Sequence, residues 1–177
     1  MDSQLHVYKV SHPRPDMIFR PSKFWRTKDW ESSSSRPREG YIEETVLFAG
    51  DFDEVNIHLF PRVRTLRVRA ADADAAHLGR LGMNCSSGMT AHIFAPRSRK
   101  REVESFRPTI FKFESHGFTR VRKGEFVSWH PKIAISSETI PMNKALKRWN
   151  IEACYVEELD NVVQTLSSAG IYFDVQT

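Results

Sequence analysis

Phe118-Thr119-Arg120-Val121-Arg122-Lys123-Gly124-Glu125-Phe126-Val127-Ser128-Trp129-His130-Pro131 is the stretch on which the reading of this chain turns. Two short runs, Phe118–Arg122 and Glu125–Trp129, flank Lys123-Gly124. A glycine that accepts positive φ makes that pair a tight hairpin turn between antiparallel strands. Alternation puts Glu125, Val127 and Trp129 on one face of the second strand and Phe126, Ser128 and His130 on the other. A carboxylate, a hydroxyl, an indole and an imidazole thus gather at a strand end, where a rigid element holds side chains within reach of a ligand. Glu125 is the first candidate, with Trp129 as a wall on its face. Ser128 ranks second, because it joins Glu125 only where the strand twists, bulges or ends.

Working outward, the same short-strand grammar recurs. Leu5–Val10 reads as a strand with Leu5, Val7 and Lys9 on one face and His6, Tyr8 and Val10 on the other. Thr45–Ala49 is a buried strand ended by Gly50, and Asp51-x-x-Glu54 marks the start of a short helix that stops near Phe60-Pro61. Val63–Arg69 alternates as a strand with one wet face. Asp72–Leu81 is a helix closed by Gly82, and Ala91–Ala95 and Thr109–Glu114 are strands. A helix from Pro141 to about Asn150 precedes a strand at Ile151–Val156. Glu157–Ala169 carries Leu159, Val162, Val163 and Leu166 at helical spacing, and Ile171–Val175 ends the chain as a strand. Many short strands, hairpin-length turns and a few helices predict a single α+β domain over residues 1–177, mainly antiparallel.

One segment breaks the pattern. Residues 12–40 hold Pro13, Pro15, Pro21, Pro37 and the run Ser32–Ser35, which argue against regular structure. Phe19, Phe24, Trp25 and Trp30 are too many aromatics for a solvated linker. The segment is expected to pack in part and to be disordered around the serines.

Composition is that of an ordinary globular chain: 177 residues, 40% hydrophobic and 27% charged, with a net charge of +4. The charge is unevenly placed. Basic residues crowd Arg14–Arg38 and Arg97-Ser98-Arg99-Lys100-Arg101 and recur at Arg120, Arg122 and Lys123. After Arg148 there is no Lys or Arg, while Glu152, Glu157, Glu158, Asp160 and Asp174 accumulate. A positive surface suits a phosphate-bearing partner: a dinucleotide, nucleic acid or, by charge alone, an acidic protein. No apolar run is long enough to cross a bilayer, so no membrane partner is expected. The first residues lack the pattern of a secretory signal, and a cytoplasmic location is the expectation.

Several chemistries lack their motifs. No glycine-rich phosphate loop is present, and the seven histidines show no H-x-x-x-H or H-x-x-E-H spacing. His58 and His92 lie in apolar runs, but Phe60 and Phe94 stand where a two-histidine phosphodiesterase needs hydroxyls. Cys85, in a Ser/Gly-rich loop, and Cys154, in an apolar run, suggest neither a disulfide framework nor a zinc site, and no metal is expected.

Three pieces in order resemble the ADP-ribosyltransferase-like fold: Tyr8-Lys9-Val10-Ser11, Val46-Leu47-Phe48-Ala49-Gly50-Asp51-Phe52-Asp53-Glu54, and Glu125-Phe126-Val127-Ser128. The resemblance implies NAD as the substrate, with either ADP-ribosyl transfer or NAD glycohydrolysis, in proteins used as toxins, effectors or counter-defence factors. It implies that Glu125 stabilises the ribose oxocarbenium ion and that Tyr8 stacks on the nicotinamide. Lys9, Arg14 or Arg20 would pair the pyrophosphate, while Phe48, Ser128 and Trp129 would line the cofactor site. Lys9 stands where relatives most often have His, and His6, on the face of Tyr8, is the residue that could substitute. Lys123 replaces the acidic or amide residue common two positions before the late Glu.

The competing reading is a non-catalytic basic module. Trp25, Trp30 and Trp129 among cations, with Arg97, Arg99, Lys100 and Arg101 as a patch, suit single-strand stacking or an acidic partner. Loss of Glu125 separates the two, because an electrostatic module tolerates it. In a third reading the chain is an assembly part whose aromatic-rich segment orders only on a partner.

Overall fold

A computed structural model describes residues 5–30 and 40–176. In chain order the strands are β1 (His6–Ser11), β2 (Ile18–Phe19), β3 (Ser22–Arg26), β4 (Ile42–Gly50), β5 (Thr65–Arg69), β6 (Ala91–Pro96), β7 (Thr109–Glu114), β8 (Thr119–Arg122), β9 (Glu125–Ser128), β10 (Lys132–Ile133), β11 (Ser136–Thr139), β12 (Ile151–Val156) and β13 (Asp174–Gln176). The α-helices are α1 (Ala75–Arg80), α2 (Lys100–Ser105), α3 (Met142–Trp149) and α4 (Leu159–Ser168), with 3-10 turns at Glu54–Leu59 and Arg97–Arg99. The chain is α+β with mostly antiparallel strands, as the hairpin spacing predicts. It divides into two compact units: unit 1 is Met1–Val55 with Thr109–Thr139, and unit 2 is Asn56–Pro108 with Ile140–Thr177.

Unit 1 is a seven-stranded sheet in the order β11-β7-β1-β4-β9-β8, with β3 paired to β4, beside a β2–β10 ribbon. One face of the sheet is apolar. Val7, Leu47, Ala49, Phe111, Phe113 and Phe126 pack there with Phe19 and Ala134. Phe19 meets the Phe111 and Phe113 rings edge-on at 4.6 and 5.4 Å. The hairpin at Lys123-Gly124 forms as expected: Gly124 has φ 76°, and its carbonyl accepts from the Asp51 amide at 2.9 Å.

Residues 12–30 are more ordered than their prolines suggest. β2 and β3 both lie among them, because pairing with β10 and β4 satisfies a backbone that Pro13, Pro15 and Pro21 keep out of a helix. The Ser32–Ser35 run, and with it the expectation of disorder there, lies outside the described residues. The predicted Asp51 cap is present, with the Glu54 amide donating to Asp51 Oδ1 at 2.7 Å. The turn it opens is a 3-10 helix.

Gly50 sits where β4 meets that turn. A Cβ built there would lie 2.9 Å from Val55 Cγ1. Gly50→Ala is expected to cost about 1–3 kcal/mol through overpacking. A shift in the denaturant midpoint with unchanged slope would register it; an unchanged midpoint would show that Val55 yields freely.

Unit 2 holds a four-stranded sheet in the order β12-β6-β5-β13. β6 and β12 run parallel; the other pairs are antiparallel. Leu66, Val68 and Phe94 on one face meet Leu159, Val162 and Leu166 of α4 and Leu78 of α1. The helices are shorter than their periodicity predicts. α1 starts only after Asp74, whose carboxylate caps the His77 amide at 2.8 Å. The last strand begins three residues late, at Asp174, since Ile171 instead caps α4 by donating to the Leu166 carbonyl.

The expected wet face of Val63–Arg69 is absent. β5 is an inner strand, and Arg67 has a 2% exposed side chain. Its Nε and Nη2 donate to Asp174 Oδ2 at 3.0 and 2.8 Å, and its Nη1 donates to Asn56 Oδ1 at 2.8 Å. Arg69 adds a third cationic contact to Asp174 at 2.6 Å. A buried guanidinium is tolerable only when its donors are spent in this way.

Candidate functional site

On the face of the unit 1 sheet opposite the apolar core, cross-strand pairing builds a straight row. Lys112 pairs with Tyr8, Tyr8 with Gly50, Gly50 with Glu125, and Glu125 with Arg122. Directly opposed residues share a face, so these side chains cross β7, β1, β4, β9 and β8 in line. Tyr8 and Glu125 stand two strand spacings apart, about 10 Å, separated by a residue with no side chain. The space over Gly50 is filled by Val55 and Glu54, whose side chains pack where its Cβ would stand. The Phe52 ring meets Tyr8 edge-on at 5.8 Å, and Arg122 Nε lies 3.7 Å from Glu125 Oε2.

Two residues along the same strands, the face turns aromatic. Phe48 pairs with Val127. Its ring meets Phe24 at 4.5 Å and Trp30 at 6.4 Å, and Trp30 meets Trp129 at 6.3 Å. The Arg26 guanidinium lies 4.1 Å from the Trp30 ring and donates to Glu44 at 3.0 Å. Trp129 Nε1 donates to the other Glu44 oxygen at 3.3 Å. Hydrogen bonds from Arg26 and then Trp129 hold the Glu44 carboxyl below the ordinary carboxylate range. Trp129 remains 44% exposed, so the cluster offers a flat ring to solvent.

The residues expected to serve NAD are thus sorted by face. Tyr8, Glu125, His6, Phe48 and Trp129 share one. Lys9 lies on the other, paired with Phe111, and donates from Nζ to the Phe48 carbonyl at 3.1 Å. Burial, then Arg14, pushes its ammonium below the usual lysine range. Arg14 stacks on Phe19 at 4.6 Å, and Phe19 belongs to the core on that same opposite face. Arg20 is exposed just after β2. Ser128 is fully buried; its hydroxyl donates to the His130 carbonyl and accepts from the His130 amide. Lys9, Arg14 and Ser128 therefore do not reach the Tyr8–Glu125 face. Lys112 and Arg122 supply the cations there, a placement that only the strand register reveals.

In unit 2 the Arg97–Arg101 run forms a 3-10 turn leading into α2. It edges an open depression of about 540 Å³ with Ser98, Glu104 and Ser105. Arg97 pairs with Glu157 at 2.6 Å, Arg99 with Glu102 at 2.7 Å, and Lys100 with Glu104 at 3.8 Å. The patch is less positive than its sequence suggests.

Unit 2 also holds a side-chain cluster. Parallel pairing sets His92 directly opposite Glu152, with Cys154 two residues further on the same face. Cys85 arrives from the preceding loop, and donor atoms of Cys85, His92 and Glu152 lie within 4.8 Å of one another. The Cys154 thiol donates to Glu152 Oε1 at 3.3 Å. The neighbouring Cys154 lowers the Cys85 thiol, while Cys85 and burial raise that of Cys154. His92 and Glu152 are sixty positions apart, and no local spacing announces the pair.

Neither the family models, nor the curated proteins, nor the solved structures contain a match to this chain. Among the described residues, no helix is long and apolar enough to cross a membrane.

Proposed function

We propose that unit 1 binds NAD on the Tyr8–Gly50–Glu125 face and cleaves the nicotinamide–ribose bond, as an ADP-ribosyltransferase or NAD glycohydrolase. The observation that carries this reading is the register. Three adjacent strands bring an aromatic, a side-chain-free position and a carboxylate into one line, with a cation at each end. Loss of nicotinamide breaks the C1′–N bond, and the bonding pair leaves with the neutral nicotinamide. The ribose is left with oxocarbenium character, which a fixed carboxylate stabilises. Water or an acceptor nucleophile then adds at C1′ and releases a proton. Glu125 is the carboxylate, Tyr8 packs the leaving ring, and Lys112 and Arg122 meet the phosphates. The exposed ring of Trp129, backed by the half-buried Trp30, suits a stacked base. In a thermal-shift titration NAD is expected to raise the melting temperature, because a ligand bound only by the native state stabilises it by about 2.7 kcal/mol at a hundredfold its Kd. Nicotinamide release should accompany the shift. An unmoved melt at saturating NAD concentrations would overturn the proposal.

The Trp30–Trp129 contact also favours a second reading, a stacking platform for single-stranded nucleic acid. A melt that oligonucleotides raise in a salt-sensitive way, and NAD leaves alone, supports this one instead.

A further inference from the structure

We infer that Cys85, His92 and Glu152, with Cys154 alongside, form a binding site for a divalent transition metal of zinc type. The site is independent of the NAD reading, since every donor belongs to unit 2. The donor set decides the class of ion. Sulfur with imidazole selects zinc and its neighbours, whereas magnesium and calcium take all-oxygen shells. Bonds of about 2.0–2.3 Å to one centre bring ligand atoms within about 4 Å of each other, and here three lie within 4.8 Å before any ion is present.

A separate observation concerns His92. Its side chain is 1% exposed, and Nε2 is the nitrogen on the cluster side, 3.7 Å from Glu152 Oε1 and 2.9 Å from the Ser86 carbonyl. An ion bound there would take the Nε2 lone pair in place of the Ser86 contact, with the ring proton on Nδ1. The surrounding bonds fasten the loop to the strands. The Ser86 amide donates to both Glu152 oxygens at 2.9 and 3.2 Å, so the residue next to Cys85 is clamped between His92 and Glu152. Such outer contacts orient the ligands of metal sites. Cys154, hydrogen-bonded to Glu152, lies beside these three donors.

The test is a cobalt(II) titration of the reduced, chelator-stripped full-length chain. One equivalent is expected to bring up a thiolate-to-cobalt charge-transfer band with intense visible bands of a tetrahedral ion, both erased by zinc. Outer contacts alone are worth about 10–100-fold in affinity, so loss of a ligand should cost at least about that much. Cys85→Ser should weaken the charge-transfer band and the affinity together. Glu152→Gln, which keeps an acceptor for the Ser86 amide, should weaken affinity while circular dichroism stays that of the parent. Absence of the charge-transfer band would overturn the inference. So would affinity unchanged in both variants, or two thiols that join as a disulfide in air yet bind no metal once reduced.

Discussion

Asp174→Ala is expected to lower stability by about 3–5 kcal/mol, the usual penalty when one partner of a buried ion pair is removed. In a chain of this size that is a fall in melting temperature of roughly 10 °C. The magnitude follows from what remains. Arg67 stays under 2% exposed with two of its donors stripped, and its cost of burial is no longer offset. The Asp160–Arg64 pair is a control of the same chemistry at 2.7 Å, with side chains 77% and 44% exposed. Asp160→Ala should change stability by under about 1 kcal/mol. Equal effects from the two variants would remove the argument from burial.

The same network sets an acid limit. Burial raises the Asp174 carboxyl, but Arg67, then Arg69 and the Tyr172 hydroxyl, outweigh it and hold it below its ordinary value. A carboxylate depressed in the folded state contributes stability that is fully present above its unfolded value, about 3.9. That contribution is lost as pH falls through the folded value. Stability should therefore decline below about pH 4, and Asp174→Asn should flatten that part of the profile while lowering the plateau at neutral pH.

What the sequence could disclose was whatever is written locally. The Lys123-Gly124 turn, the Asp51 cap and the helices ended by Asn150 and Gly170 rest on neighbours within four residues, and these are recovered to within a few positions. β3 is hidden because its partner, Ile42–Val46, is about twenty residues away and its own Ser22-Lys23 start reads as loop. Alternation places Arg67 in solvent because it cannot distinguish an inner strand from an edge; only pairing of β5 to both β6 and β13 does. The candidate sites follow the same division. Tyr8 and Glu125 were readable as a strand residue and a strand-end carboxylate. Their sharing of a face, the exclusion of Lys9 and Ser128 from it, and the arrival of Lys112 and Arg122 are properties of register. Cys85, His92 and Glu152 meet through a parallel pairing that leaves no local trace.

Glu125→Gln is expected to slow nicotinamide release from NAD by about 10²–10³-fold, the usual scale for removing one electrostatic group from a transition state. Gln keeps the shape and a hydrogen-bonding oxygen but loses the charge, so ground-state binding should hold. The loss should fall on kcat with KM little changed. Stability should barely move, because the Arg122–Glu125 contact is long at 3.7 Å and its side chains are 41% and 34% exposed, a class of pair worth about 0–1 kcal/mol. Lys9→Met is the matched control. The family resemblance implies Lys9 as one candidate for the pyrophosphate, yet its ammonium is engaged with the Phe48 carbonyl on the opposite face, so its removal should leave turnover intact. Lys112→Met, on the Tyr8 face, should instead raise KM. Turnover indifferent to Glu125 but sensitive to Lys9 would place the chemistry on the other side of the sheet and sink the Tyr8–Glu125 assignment.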